Sequence, residues 1–246
     1  MPSTPSSAEE AEGPELPAHV LGRVMVVSPH YDDAVFSCGH LLSAVPESVV
    51  VTVCTAVPDD PRQRATDWDT RCGFSSAAEA MQTRCEENQL ALDILRAQGV
   101  DIAFLDGQYL QSERNSMDLL SDTLLSCIRE FRPDSVCTPL GLFHADHLLV
   151  ADALLQLQHR VRGVRWLAYA DIPYNKNADT VAHRTQQLAD RGVECEPIRL
   201  NLVPGRKREA VEAYRSQFRG LGHQDGAAIM QHEEQYWLLH QNLEIL

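Results

Sequence analysis

Short runs of apolar and β-branched residues recur along this chain with helical patterns between them, and that alternation constrains the fold more than any other feature. Val24–Ser28 reads VMVVS, the unbroken apolar run expected of a strand buried on both faces. Val49–Cys54, Ile102–Leu105, Ser135–Thr138 and Trp166–Tyr169 repeat the pattern, and Pro197–Leu200 is a weaker sixth. Between them, Ala77–Gln98 sets Leu90, Ile94 and Leu95 beside a long polar face. Met117–Phe131 carries Leu120, Leu124, Ile128 and Phe131 on one stripe, and Pro133 closes it. His147–His159 has Val150, Leu154 and Leu157 at helical spacing, and Arg206–Phe218 is a further helix stopped by Gly220. Strands alternating with helices imply parallel βαβ units. The expected fold is therefore α/β: a Rossmann-like, open, mostly parallel sheet with helices on both faces, a three-layer sandwich. Pro58–Ser76 has no clear period and is long for a bare connection, which marks it as a functional loop.

Length and charge narrow the rest. At 246 residues the chain can bury a sizeable core. Residues 1–18, rich in Pro, Ser, Ala and Glu, read as a disordered tail, and 19–246 as a single domain. With 21 Lys+Arg against 35 Asp+Glu the net charge is -14, which argues against nucleic acid as the main partner. No apolar run is long enough to span a bilayer, and no basic and apolar leader opens the chain. Seven cysteines, odd in number and without a CxxC pair, suit reduced thiols and a cytoplasmic setting better than a disulfide framework or a thiolate zinc finger.

The first strand runs directly into Ser28-Pro29-His30-Tyr31-Asp32-Asp33, and the fourth into Gly141-Leu142-Phe143-His144-Ala145-Asp146-His147. In an open α/β sheet, ligands bind just outside the carboxyl ends of the strands. Of two adjacent Asp side chains, one can bind a metal while the other serves as base. His144 and His147, three apart, share a face of the first helical turn. Two neutral imidazoles and one carboxylate from two loops make a three-ligand site with a position left for water, the layout of a catalytic zinc site. Ferrous iron suits the same donor set. No GxGxxG follows the first strand, which disfavours a dinucleotide enzyme.

These residues carry a resemblance. Pro29-His30-Tyr31-Asp32-Asp33-Ala34 resembles the PHPDDE signature of the PIG-L/LmbE-like zinc-dependent N-acetylglucosaminyl deacetylases, and His144-Ala145-Asp146-His147 resembles that family's HPDH signature. Lys207…Ala210…Tyr214-Arg215-Ser216-Gln217 is similar to its Lys…Ala…Tyr/His-x-Ser-Gln helix. Arg84-Cys85-Glu86-Glu87, followed by Leu105-Asp106, is similar to its Arg-x-x-Glu helix and acidic turn. The likeness covers about residues 22–220. It implies that His30, Asp33 and His147 bind zinc and that Asp32 is the general base. It further implies that His144, oriented by Asp146, assists the tetrahedral intermediate, and that Arg84 and Asp106 meet sugar hydroxyls. The reaction implied is hydrolysis of an acetamide on a GlcNAc-type amino sugar, in a natural-product or thiol-cofactor pathway. The partner is then a small amino sugar or glycoconjugate; homo-oligomerisation stays open.

Three positions depart from the family pattern: Tyr31 and Ala34 replace Pro and Glu, and Leu142 stands where some members carry a Tyr that acts on the oxyanion. Tyr31 is a substitute for that Tyr or, on the plainer reading, a loop aromatic packed on the sheet end. Trp68 is the best sugar-stacking candidate, whereas Trp166 and Trp237 read as core, and Glu233-Glu234 as a solvated face. The rival functions are an amidase of a larger acyl group or thiol S-conjugate, and a sugar-binding module without catalysis. Asp32, which the metal does not need, weighs against the latter.

Overall fold

Val24–Ser28 is buried at all five positions, as are Val49–Cys54 and Ser135–Pro139 throughout. Strands covered on both faces read this way, and each fully buried Val is worth roughly 1.5–3 kcal/mol against exposure. The computed structural model describes residues 13–60, 63–110, 115–203 and 205–241. Its strands are β1 (Glu15–Pro17), β2 (Val24–Ser28), β3 (Val49–Cys54), β4 (Gln98–Phe104), β5 (Ser135–Pro139), β6 (Arg165–Tyr169), β7 (Val193–Asn201) and β8 (Tyr236–Gln241). Its helices are α1 (Asp33–Ala44), α2 (Asp67–Cys72), α3 (Ala77–Leu95), α4 (Met117–Phe131), α5 (Ala145–Leu155), α6 (Ala178–Asp190), α7 (Lys207–Val211) and α8 (Arg215–Leu221).

The strands form one sheet in the order β1-β7-β8-β6-β5-β2-β3-β4. All pairings are parallel except those of β8 with β6 and β7, so β8 alone runs against the rest. The chain proceeds from β2 through β3 to β4 on one side, then returns to pair β5 against the other edge of β2. Strand order reverses between β2 and β5, and at such a switch point the diverging loops leave a crevice at the carboxyl edge. Strand alternation fills both faces. Met25 and Val27 pack with Leu124 of α4 and Leu154 of α5. Val24 and Val26 pack with Phe36 and Leu41 of α1 and Leu92 of α3.

The open, mostly parallel three-layer architecture is the one expected, with local differences. The helix read to Gln98 ends at Leu95, where Arg96 takes a left-handed φ of 58°, and Gln98–Phe104 is strand, starting earlier than Ile102. Polar Gln98 and Asp101 hid this edge strand from a search for apolar runs. The helix read over Arg206–Phe218 is two short helices broken at Glu212–Tyr214. Pro58–Ser76 contains α2, whose Thr66 forms a reciprocal capping box with Asp69. Residues 1–12 of the expected tail lie outside the described residues, while Glu15–Pro17 adds a strand beside β7. Among the described residues no helix is long and apolar enough to cross a membrane.

Candidate active site

Both motifs open at the switch point, one after β2 and one after β5. The first loop is closed by Ser28, whose Oγ donates to the His30 carbonyl and accepts from Ala34 N at 2.9 Å. Asp33 is the first residue of α1, where helix N-terminal amides favour a carboxylate. His144 is the N-cap of α5; its Nδ1 accepts from Asp146 N at 3.3 Å. That cap leaves His147 one turn inward and fully enclosed, at 1% exposure.

Three atoms then meet. His30 Nδ1 lies 3.2 Å from Asp33 Oδ2, His147 Nε2 lies 3.3 Å from the same oxygen, and the two ring nitrogens are 3.3 Å apart. A tetrahedral zinc ion with bonds of about 2.0–2.2 Å separates its donors by roughly 3.3–3.6 Å, so this triangle, near the short end of that range, fits such an ion. The far side of each ring is bound to a carboxylate: His147 Nδ1 to Asp171 Oδ1 at 2.6 Å, and His30 Nε2 to Asp146 Oδ2 at 3.3 Å. Those partners take the ring N–H and leave the inward nitrogens free as donors to a cation, as around ligating histidines generally. His144 brings a third imidazole within 4.8 Å of the other two, its ring edge-on to His30 at 5.0 Å.

Electrostatics follow from this crowding. Burial opposes charge on His147, yet the carboxylates of Asp33 and Asp171 raise it to about 10. His30 is likewise raised against its own burial by Asp106, Asp146 and Asp33. Asp33 is held low, against its burial, by His147 and His30. Asp32 behaves oppositely: burial, then the neighbouring Asp33 charge, push it up to about 7. Among the described residues no other side chain hydrogen-bonds its carboxylate, which lines an open cleft of about 340 Å³. Burial and the neighbouring His30 and His147 lower His144, so its ring is neutral, and with Nδ1 accepting from Asp146 N the proton sits on Nε2.

Asp146 serves a different partner from the one expected. Its Oδ2 is nearer to His30 Nε2 (3.3 Å) and Gly107 N (3.1 Å) than to His144 Nδ1 (3.6 Å). A Cβ on residue 107 would sit 2.9 Å from that carboxylate, so glycine permits the approach. Arg84 lines the cleft, but Nη2 is bound to buried Asp69 at 2.7 Å, and Tyr109 donates to the same carboxylate. Asp106 stands 3.8 Å from His30 Nε2 and accepts from Gln108 N and Nε2. Trp68 lines the cleft, with the Arg71 guanidinium 5.1 Å from its ring centre. Tyr31 also lines the cleft; its ring packs on Ala77, Met81 and Tyr109 rather than on the sheet end, and its hydroxyl donates to Asp101 at 3.0 Å.

Two residues of the site escaped sequence reasoning, one buried behind the cleft and one lining it. Asp171 follows β6, is fully buried, and accepts from Gly141 N and Leu142 N as well as from His147. Its signal was available, a carboxylate two residues beyond an apolar run. Tyr174 sets its ring edge-on to His147 at 5.7 Å. The third motif is a brace. Tyr214 Oη lies 3.1 Å from the Tyr31 carbonyl and 2.9 Å from Asn88 Oδ1, its one proton shared between them, and Ser216 binds Glu87 through both N and Oγ. Glu234 is not a solvated face: it is buried and paired with Lys207 Nζ at 2.7 Å.

Comparison with known proteins agrees with this construction. The chain is 29% identical over 216 residues to a 2'-N-acetylparomamine deacetylase of Streptomyces fradiae, covering 80% of this chain and 74% of that one. Among solved structures, the A40926 pseudoaglycone deacetylase Dbv21 superposes with a TM-score of 0.69 at 26% identity, over 90% of this chain and 98% of that one. A triple mutant of a deacetylase from the teicoplanin biosynthetic pathway gives 0.72 at 26% identity, over 90% and 99%. The family model described as PIG-L, GlcNAc-PI de-N-acetylase, matches residues 25–158, more than half of the chain and the stretch that holds both strand-end motifs. By that match the chain belongs to the PIG-L family.

Proposed function

We propose that this protein is a metal-dependent hydrolase that removes an acetyl group from an N-acetylated amino sugar of the GlcNAc type, carried on a natural product. The observation that carries the reading is the donor triangle of His30 Nδ1, Asp33 Oδ2 and His147 Nε2, with Asp32 beside it and, among the described residues, without a side-chain hydrogen-bond partner. The relatives named as deacetylases of 2'-N-acetylparomamine and of the A40926 pseudoaglycone support the substrate class.

His30, Asp33 and His147 would hold the ion, a donor set that suits zinc and ferrous iron alike. When bound, a divalent ion supplies Lewis acidity to a carbonyl and to water. Asp171 and Asp146 keep the two imidazoles in the right tautomer. Asp32 takes a proton from water as the oxygen adds to the amide carbon, and a carboxylate poised near neutrality suits that task. His144 Nε2–H donates to the developing oxyanion as a neutral imidazole. When the C–N bond breaks, Asp32 returns its proton to the departing amine, releasing acetate and the free amino sugar. Arg84 and Asp106 line the cleft where sugar hydroxyls would lie.

Mass spectrometry of an N-acetyl amino-sugar panel after incubation with the protein tests the reading. One acetyl group should be lost from a GlcNAc-type member, and chelation should stop the loss. Turnover that persists in protein shown by elemental analysis to be free of metal would overturn it.

A further inference from the structure

Phe143 carries two costs that folding does not offset. Its backbone φ is +62°, a region that a bulky side chain seldom adopts and that glycine or asparagine would occupy with less strain. The residue is 80% exposed, the most exposed large hydrophobic among the described residues. The ring's aromatic contact is with Tyr174, stacked at 5.4 Å between centroids and 24° between planes. Tyr174 lines the cleft and turns its edge to His147, and His144 follows Phe143 directly in the chain. The pair therefore flanks the cleft mouth, beside the residues assigned to chemistry. Residues in sparsely populated backbone regions cluster at active sites and ligand clamps, and exposed apolar patches mark binding surfaces.

We propose that Phe143 and Tyr174 form a two-ring subsite that receives a flat apolar ring attached to the acylated sugar, an aryl aglycone. Phe143 offers no hydrogen bond, and the Tyr174 hydroxyl is the single polar group on the pair. A second sugar in this place would bring hydroxyls with little to meet them. An aryl ring brings none, and it extends the existing stack in the offset geometry that aromatic pairs favour. The inference rests on the deacetylase reading for what sits in the cleft, but its test separates the two.

The test compares p-nitrophenyl and methyl glycosides of N-acetylglucosamine. Wild-type protein should favour the aryl glycoside in kcat/KM, with the advantage in KM. In Phe143→Asn, which tolerates the left-handed backbone, the aryl-to-methyl ratio should fall by about 3–10-fold, the value of one aromatic pair. Tyr174→Phe keeps the stack and should keep the ratio. Calorimetric titration with the corresponding aryl and methyl glucosaminides, which have no acetyl group to lose, reads the subsite without turnover. There the wild type should bind the aryl compound more tightly, and Phe143→Asn should not. Absence of turnover with aryl-selective binding intact would remove the deacetylase reading and leave the subsite. Equal binding of the two glucosaminides by wild type, or an aryl preference unchanged in Phe143→Asn, would overturn the subsite.

Discussion

Two clusters of buried charge sit in this molecule, and they are built to different ends. In the layer of α1, α3 and α7, Lys207 Nζ meets Glu234 Oε1 at 2.7 Å, with side chains 1% and 4% exposed. The same oxygen accepts from His40 N, and Oε2 accepts from the Tyr236 hydroxyl. Gly39 makes room for the lysine stem, since a Cβ there would lie 2.5 Å from Lys207 Cγ. Glu234 is satisfied within the protein and ties α7 to the segment before β8. At the switch point His30, Asp33 and His147 are also buried or half-buried, but their partners are arranged behind them, and three donor atoms converge on one point. Asp32 faces the cleft without a side-chain hydrogen-bond partner among the described residues. Burial of charge alone therefore does not mark a functional site. A cluster whose bonds are closed internally fixes the fold, and one that leaves converging groups open is available for chemistry.

Substitutions in each cluster can break this contrast. Asp32→Asn should have the largest effect, lowering kcat by about 10²–10⁴ as loss of a general base does. Metal content by elemental analysis should stay at the wild-type level; loss of metal would make Asp32 a ligand. Next, Lys207→Met should destabilise the fold by about 3–5 kcal/mol in chemical denaturation, because Glu234 is left buried without its cation. The folded fraction should keep its kcat. Lys207→Met combined with Glu234→Leu should recover much of the loss, whereas a fall in kcat without a loss of stability would place Lys207 in the chemistry.

Asp171→Asn sharpens the comparison further. It should weaken metal affinity by roughly 10–100-fold, as loss of a partner behind a ligating histidine does. A competition titration against a chromophoric chelator measures it, and unchanged affinity would mean His147 does not depend on Asp171. The smallest effect belongs to Tyr31→Phe, which deletes one hydrogen bond to Asp101 and should cost about 0.5–1.5 kcal/mol of stability. Its kcat should match the wild type; a large drop would return Tyr31 to the oxyanion.

Legibility in the sequence followed the range of the interactions. The four interior parallel strands, β2, β3, β5 and β6, were legible because double-sided burial writes itself as consecutive apolar residues. The edge strand β4 was placed late, because half-exposed strands mix polar and apolar positions, whereas β8 was not foreseen although it opens with the apolar run Tyr236–Leu239. In the site, His30 with Asp33 and His144 with His147 each lie within one turn, so spacing alone brought them together. Asp171 and Tyr174 had no such neighbour. Arg84 was read as a cation open to substrate, but α2 folds back and supplies Asp69 to it.

The sequence by itself determined the layered α/β class, the position of both motifs at strand ends and the residue types available for metal and base, because these depend on periodicity and on contacts a few residues apart. Only the tertiary structure decided the partners. Sheet order brings His30 to His147 across 117 residues, turns Asp146 to His30 rather than to its neighbour His144, and seats Asp171 behind His147. An apolar pattern specifies that a strand is buried, but not which strand lies beside it. The geometry of a site drawn from several strands therefore exists only once the sheet has closed.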